Sequence, residues 1–185
     1  MSNKLCPWWM GYMLANPLRK ITQDPDKILN AYVSQNMKVL DIGCAMGFFS
    51  LPMARLVGDQ GRVICVDLQD RMIENLVKKA KKSGVYHRIE ARTCSPDSLG
   101  IDDMKGAVDF ALAFAVIHEV KDKERLFTEI IGVLKPGGKL MIAEPKGHVT
   151  EKDFRDTVML AQRTGFSIAK WPNIGRSYSV LLIRQ

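Results

Sequence analysis

An acid ends an apolar run early in the chain, and small residues follow it at once. In the stretch VLDIGCAMGFFS, Asp41 is followed by Gly43, Ala45 and Gly47. Glycines in the first turn after a buried parallel strand let the backbone approach a ligand and let the next helix pack closely. A carboxylate here would repel a pyrophosphate lying on the helix N-terminus. The turn therefore predicts a ligand that carries a hydrogen-bond donor or a positive charge.

A second acid, Asp67, ends the next apolar run, RVICVD. Its spacing from Gly43 is that at which a carboxylate can accept hydrogen bonds from both hydroxyls of a ribose. Asp41 and Asp67 together favour an adenosine with a cationic amino-acid tail. A nicotinamide-dependent oxidoreductase would need Gly-x-Gly-x-x-Gly at this turn, and GCAMGF does not supply it.

Two of the three histidines follow predicted strands. His118 comes after the fourth strand with Glu119 beside it, and His148 comes after the fifth strand, which ends near Glu144. Imidazole can remove a proton or orient a substrate near neutral pH. His118 and His148 are therefore the first candidates for a catalytic base, ahead of Glu119 and Glu144. The alternative, that each histidine only satisfies loop backbone groups, has equal weight.

The elements that position these residues follow from the hydrophobic pattern, in which short β-rich runs alternate with amphipathic stretches. We predict strands in MKVLDI, RVICVD, HRIEART, VDFALAF and GKLMIAE, and helices in FFSLPMARLVG, DRMIENLVKKAKKSG and DKERLFTEIIGVLKPGG. Thr150 and Asp153 predict a capping box for a further helix that ends at Gly165. Residues 166–185 predict an antiparallel hairpin. The fold class is α/β, a doubly wound, mostly parallel seven-stranded sheet with helices on both faces.

In kind and in order, these motifs resemble those of the class I, Rossmann-like S-adenosylmethionine-dependent methyltransferases. The group that contains the ubiquinone and menaquinone biosynthesis methyltransferases is the most similar. The family pattern acid-x-Gly-x-Gly-x-Gly is present as Asp41, Gly43, Ala45 and Gly47, and both LKPGGKLMIAEP and FAVIHEV are similar to family segments. Ala45 replaces the middle glycine, and its added methyl group would be tolerated if the local φ is negative.

The resemblance implies S-adenosylmethionine as cofactor and S-adenosylhomocysteine as product. It places Asp41 near the ammonium group, Asp67 at the ribose and Leu68 against adenine. Cys94 and Ser95 stand where the family commonly has an acid that receives the adenine amine. The implied cofactor-binding residues are Asp41, Gly43, Cys44, Ala45, Gly47, Asp67, Leu68, Cys94, Ser95, Ala113 and Phe114.

Composition sets the broad class. The chain has 185 residues, of which 46% are apolar and 25% charged, as in one soluble globular domain. We expect a cytoplasmic protein without a membrane span. The four dispersed cysteines predict neither disulfides nor a metal site. The net charge of +7 is densest in RMIENLVKKAKKSG, which we interpret as a solvated helix face rather than a nucleic-acid footprint.

Missing motifs narrow the classes of molecule that could accept the methyl group. No Asn-Pro-Pro-Tyr-like segment follows the fourth strand, no Pro-Cys pair is present there, and the loops lack the clustered acids of a magnesium site. A small-molecule acceptor is therefore favoured. The alternatives are a methyltransferase that acts on RNA or protein, and a non-catalytic protein that binds S-adenosylmethionine. The oligomeric state is not predicted.

Residues 1–30 form a separate predicted element, an N-terminal helical lid or cap, before a methyltransferase domain at residues 31–185. The stretch CPWWMGYML concentrates aromatic residues, of which Trp8, Trp9 and Tyr12 would wall the acceptor pocket of a lid. A helix packed permanently on the domain, or a dimer contact, has equal weight.

Overall fold

The computed structural model describes residues 23–185. Within this range, seven strands form a sheet in the order β3-β2-β1-β4-β5-β7-β6. The strands are β1 (Lys38–Ile42), β2 (Arg62–Asp67), β3 (Ile89–Thr93), β4 (Val108–Phe114), β5 (Leu134–Pro145), β6 (Phe166–Lys170) and β7 (Ser177–Arg184). The helices are α1 (Pro25–Leu29), α2 (Ser50–Leu56), α3 (Asp70–Lys82), α4 (Lys123–Val133) and α5 (Glu151–Arg163). This confirms the predicted fold class.

The described residues divide into two compact units, with the division between residues 94 and 95. In the described part of the first unit, β1 pairs with β2 and β2 with β3, all parallel. Val63, Ile64 and Leu76 are completely buried in its core. Parallel strands that alternate with helices have both faces covered, which is why β1 and β2 are continuous apolar runs.

In the second unit, β4 and β5 are parallel, and β7 runs antiparallel to both β5 and β6. The predicted terminal hairpin is therefore confirmed. Thr150 and Asp153 form the predicted capping box at the start of α5. Phe127 and Phe166 meet edge to face in the core, with ring centroids 6.3 Å apart.

Several predicted element boundaries differ from those in the structure. The predicted helix DKERLFTEIIGVLKPGG extends to residue 138, but α4 ends at Val133 and β5 begins at Leu134. Pro136 disfavours helical backbone in the residue before it and donates no helical hydrogen bond, so the helix ends earlier. His87 belongs to a helical turn, Tyr86–Arg88, and β3 begins only at Ile89. The predicted helix FFSLPMARLVG corresponds to α2, which begins at Ser50 instead of residue 48.

No helix within residues 23–185 is long and apolar enough to cross a membrane. The lid residues Trp8, Trp9 and Tyr12 lie outside the described residues, and the boundary at residue 30 stays a prediction.

Candidate active site

The turn after β1 has left-handed backbone at each of its three small residues. Gly43, Ala45 and Gly47 have φ values of 67°, 46° and 85°. The backbone N–H groups of Gly43 and Cys44 donate to the carbonyl of Val66 at 2.9 and 3.1 Å, which fastens the turn to the end of β2. The condition for an unstrained alanine at this position, a negative φ, is not met at Ala45. The backbone of Ala45 is held in the left-handed region, and this conformation costs an L-residue with a Cβ about 1–2 kcal/mol of free energy.

Gly47 is required by packing as well as by conformation. A Cβ atom built on it would lie 2.5 Å from Cδ1 of Leu76, which is on α3. No side chain is accommodated at that distance without displacing the leucine. The glycine therefore lets α3 approach the turn, as expected for close helix packing in this position.

Asp41 is buried beneath the turn, with only 3% of its surface exposed. Ser50, the first residue of α2, donates its hydroxyl hydrogen to Oδ2 of Asp41 at 2.5 Å. Burial raises the pKa of Asp41 to about 7, and the charge of Asp67 adds to the rise while the Ser50 hydrogen bond opposes it. At neutral pH this carboxyl group can therefore gain or lose a proton readily.

Asp67 is held by the backbone on both of its oxygens. The N–H of Ala45 donates to Oδ2 at 2.9 Å, and the N–H of Gln69 donates to Oδ1 at 3.0 Å. Burial raises the pKa of Asp67, and hydrogen bonds from the backbone of Gln69, Ala45 and Leu68 partly offset this. A carboxylate has about four acceptor positions, so a pair of ribose hydroxyls can still be bound. Leu68, next to it, exposes 38% of its surface, as an apolar support for a base would.

The side chains of the cysteines near this turn are less suited to bind a ligand than those of Asp41 and Asp67. Cys44 is buried and its Sγ lies 3.8 Å from the carbonyl oxygen of Ala45. Burial raises the pKa of Cys44 well above its ordinary value, so the thiol stays protonated. The N–H of Cys94 donates to the carbonyl of Asp67 at 2.9 Å. Ser95 takes part in a local turn, where its Oγ accepts from the N–H of Asp97 at 3.3 Å.

The second unit contains a buried carboxylate that holds a histidine. Glu144, at the end of β5, is 1% exposed. Its Oε1 accepts hydrogen bonds from the N–H groups of Val116 and Ile117 at 3.1 and 2.8 Å, and its Oε2 contacts Nδ1 of His118. The sharp turn that presents these donors follows β4 and includes Ala115 at a φ of 57°. Ala113 and Phe114, at the end of β4, are both buried.

The contact with Glu144 fixes the orientation and the tautomer of His118, since a carboxylate at Nδ1 requires a proton there. The Glu144 hydrogen bond raises the pKa of His118, although burial partly opposes it. In the neutral imidazole, Nε2 is then the acceptor nitrogen. A base oriented by a second group is the arrangement that proton abstraction requires.

His148 lies beside His118, with the two rings perpendicular and their centroids 5.5 Å apart. Oε1 of Glu119 is 3.9 Å from Nε2 of His118. The four candidates for catalysis are thus brought together within the second unit. His87 lies elsewhere, exposed beside Asp59 in the first unit. Residues 23–185 contain no cluster of three or more side chains arranged to hold a metal ion.

The family is decided by a match over most of the chain. The model of a family described as "Methyltransferase domain" matches residues 33–175. This chain belongs to that methyltransferase family. The resemblance inferred from the motifs around Asp41 and His118 is thereby confirmed.

The curated relatives match this chain over a shorter range than the family model does. The ubiquinone/menaquinone biosynthesis C-methyltransferase of Cronobacter sakazakii is 30% identical over 60% of this chain and 44% of its own length. The enzyme of the same name from Shewanella woodyi is 30% identical over 68% of this chain and 50% of its own. The chain therefore spans about half the length of these relatives.

Solved structures share the fold. An S-adenosylmethionine-dependent methyltransferase from Aquifex aeolicus superposes with a TM-score of 0.88 at 21% identity, covering 98% of this chain and 100% of its own. The geranyl diphosphate C-methyltransferase of Streptomyces coelicolor, in a complex that contains S-adenosylhomocysteine, gives 0.72 at 15% identity, covering 88% and 76%.

Sequence reasoning missed three residues: Ser50, which donates to Asp41, and Lys123 and Thr157, which line a cleft together with His118 and His148. Ser50 is a polar residue inside the apolar stretch FFSLPMA, and this isolation was a usable signal because a buried hydroxyl needs a partner. Nothing in the local pattern distinguishes Lys123 or Thr157 from other helix residues. Their relation to the histidines depends on the packing of α4 and α5.

Proposed function

We propose that this chain transfers the methyl group of S-adenosylmethionine to a small molecule that must lose a proton. The observation that carries the proposal is the contact between His118 and the buried carboxylate of Glu144. Membership of the methyltransferase family supports the reaction type. The names of the curated relatives, which specify C-methylation in quinone biosynthesis, support a small-molecule acceptor.

The residues of the first unit fit S-adenosylmethionine. Asp67 has acceptor positions for the ribose hydroxyls, Leu68 supplies an apolar surface for adenine, and Asp41 supplies a carboxyl group for the ammonium of the methionine part. Gly43, Cys44, Ala45 and Gly47 would line that part through their backbone. We propose four further cofactor-binding residues on the family resemblance alone: Cys94, Ser95, Ala113 and Phe114. When bound, the cofactor would supply a sulfonium methyl group for in-line displacement.

The residues of the second unit would prepare the acceptor. Neutral His118 would take the proton through Nε2, while Glu144 stabilises the imidazolium that forms. Such a base contributes a factor of about 10²–10⁴ to the rate. Glu144 is a positioning residue in this scheme, and His148 would orient the acceptor.

The test is a transfer assay with S-adenosylmethionine labelled in the methyl group. Label should enter a small-molecule extract, and not RNA or protein fractions assayed in parallel. His118→Gln should lower the rate by about 10²–10⁴ and leave cofactor binding unchanged. His87→Gln is the matched control and should keep full activity.

Asp67→Ala should weaken cofactor binding about tenfold or more, since it removes charge-assisted hydrogen bonds.

A pH profile separates positioning from simple structural support. The pKa of His118 is raised above its ordinary value of 6.5, and only the neutral form can accept a proton. Activity of the wild type should therefore fall as the pH drops through that raised pKa. Glu144→Gln keeps an amide oxygen for the backbone donors but loses the charge, so the fall should move to lower pH. Label in RNA or protein, or cofactor binding without turnover on any fraction, would contradict the proposal.

A further inference from the structure

A cleft of about 380 Å³ lies within the second unit, next to the two histidines. This volume is in the range of small-molecule sites. The lining residues are His118, Lys123, His148, Val149, Asp153, Asp156, Thr157 and Leu160. Val149 and Leu160 give it an apolar wall, and the remaining side chains are polar or charged.

The two acids of the cleft already have partners. Asp153 belongs to the capping box, where its Oδ2 accepts from the hydroxyl of Thr150 at 2.6 Å and from the N–H of Thr150 at 3.4 Å. Asp156 forms an ion pair with Lys152 at 2.7 Å. Asp156 is thus paired with a lysine that does not line the cleft, and the carboxylate of Asp153 is already hydrogen-bonded to Thr150.

Lys123 is different, because its ammonium group is oriented but only partly used. Its Nζ donates a hydrogen bond to Oγ1 of Thr157 at 3.3 Å. The hydroxyl of Thr157 in turn donates a hydrogen bond to the backbone carbonyl of Asp153 at 2.9 Å. The threonine oxygen is therefore an acceptor for the lysine. Among the residues that the structure describes, this is the one hydrogen bond from Lys123, and an ammonium group has three N–H donors.

We propose that the cleft binds a carboxylate group of the methyl acceptor, with Lys123 as the principal donor and His148 as a second one. The inference rests on the proposed function, since it specifies the acceptor as an organic acid. An ammonium group binds a carboxylate through charge-assisted hydrogen bonds, which are stronger than those to a neutral group. Val149 and Leu160 would contact the hydrocarbon part of the acid.

The test compares benzoate with benzamide, which have similar shapes but differ in charge, by titration calorimetry of the full chain. The wild type should bind benzoate at least about tenfold more tightly than benzamide. Lys123→Gln should reduce this ratio to about one. Lys121→Gln removes an exposed lysine two residues away and should leave the ratio unchanged. Lys123→Arg should retain most of the preference, which shows that a charge and not merely a folded helix is required.

Equal binding of the two probes by the wild type, absence of benzoate binding, or an unchanged ratio in Lys123→Gln would each overturn the proposal. The titrations contain no cofactor and require no turnover. A chain that prefers benzoate but transfers no methyl group therefore contradicts only the proposed function. A chain that methylates acceptors without this preference contradicts only the assignment of the cleft.

Discussion

Asp41 couples the stability of the chain to pH through a buried carboxyl group. Its pKa is about 7 in the folded state and near 3.8 when the group is exposed in the unfolded chain. Between these values the folded state holds a proton that the unfolded state has lost. The resulting stabilisation is complete below about pH 4, and it decreases as the pH rises until it is lost above about pH 7.

We therefore expect Asp41→Asn to stabilise the chain more at high pH than at low pH. Asparagine keeps an oxygen to accept from Ser50 but needs no proton to remain neutral. The gain in unfolding free energy should be about 2–3 kcal/mol larger at pH 8 than at pH 5. Urea denaturation at both pH values measures it. Asp97→Asn, at an exposed acid, should change stability by less than about 0.5 kcal/mol, and an equal effect of Asp41→Asn at both pH values would contradict the argument.

The sequence located the acids of this turn better than it predicted the backbone. Asp41 and Asp67 could be predicted to lie at the ends of β1 and β2 because each closes an apolar run. The φ of Ala45 could not, because an alanine says only that a methyl group is present. Its left-handed backbone depends on the N–H that it donates to Asp67, a contact between distant parts of the chain. The contact between His118 and Glu144 likewise depends on how the turn after β4 packs against the end of β5.

Among the elements, the junction between the β1 turn and α3 is the one most sensitive to a single methyl group. Gly47 and Gly84 both have left-handed φ values, 85° and 71°. A Cβ on Gly47 would lie 2.5 Å from Leu76, which is completely buried, whereas a Cβ on Gly84 would have no atom within 4 Å. The two glycines therefore separate backbone strain from steric overlap.

Gly47→Ala should lower the free energy of unfolding by about 1–3 kcal/mol more than Gly84→Ala does. Both variants have the conformational cost of placing alanine in the left-handed region, and only Gly47→Ala displaces a core leucine. Denaturant unfolding of the two variants beside the wild type measures the difference. Equal losses would show that Leu76 moves aside freely and that close packing is not the reason for the glycine.

At this scale, alternation of apolar runs predicted the order of strands and helices, and local chemistry predicted the α5 capping box. The end of α4 was misplaced because the glycines at 137 and 138 were taken as its terminus. Pro136 acts before they do, and Leu134 is already extended. Such a competition between two helix-ending signals is decided by which one comes first along the chain.

At the scale of the whole molecule, the order of strands in the sheet differs from their order in the chain. β7 lies between β5 and β6, although it is the last of the three in the sequence. The register joins Lys139 to Ile183 on one side of β7 and Phe166 to Arg184 on the other. β6 therefore depends on β7 for its place in the sheet. Hydrophobic periodicity predicted a hairpin, but it contains no information about which hairpin strand pairs with β5.

This arrangement has a consequence for synthesis on the ribosome. While residues 177–184 are still inside the exit tunnel, the edge of β5 that β7 will cover has no partner from the hairpin, and an uncovered apolar edge invites pairing with other chains. In a nascent chain arrested at Gln185, the part of the second unit that has already left the tunnel should therefore be sensitive to protease. The same chain extended beyond Gln185 by a long flexible linker should be protected. Equal protection in both states would mean that the second unit folds without β7.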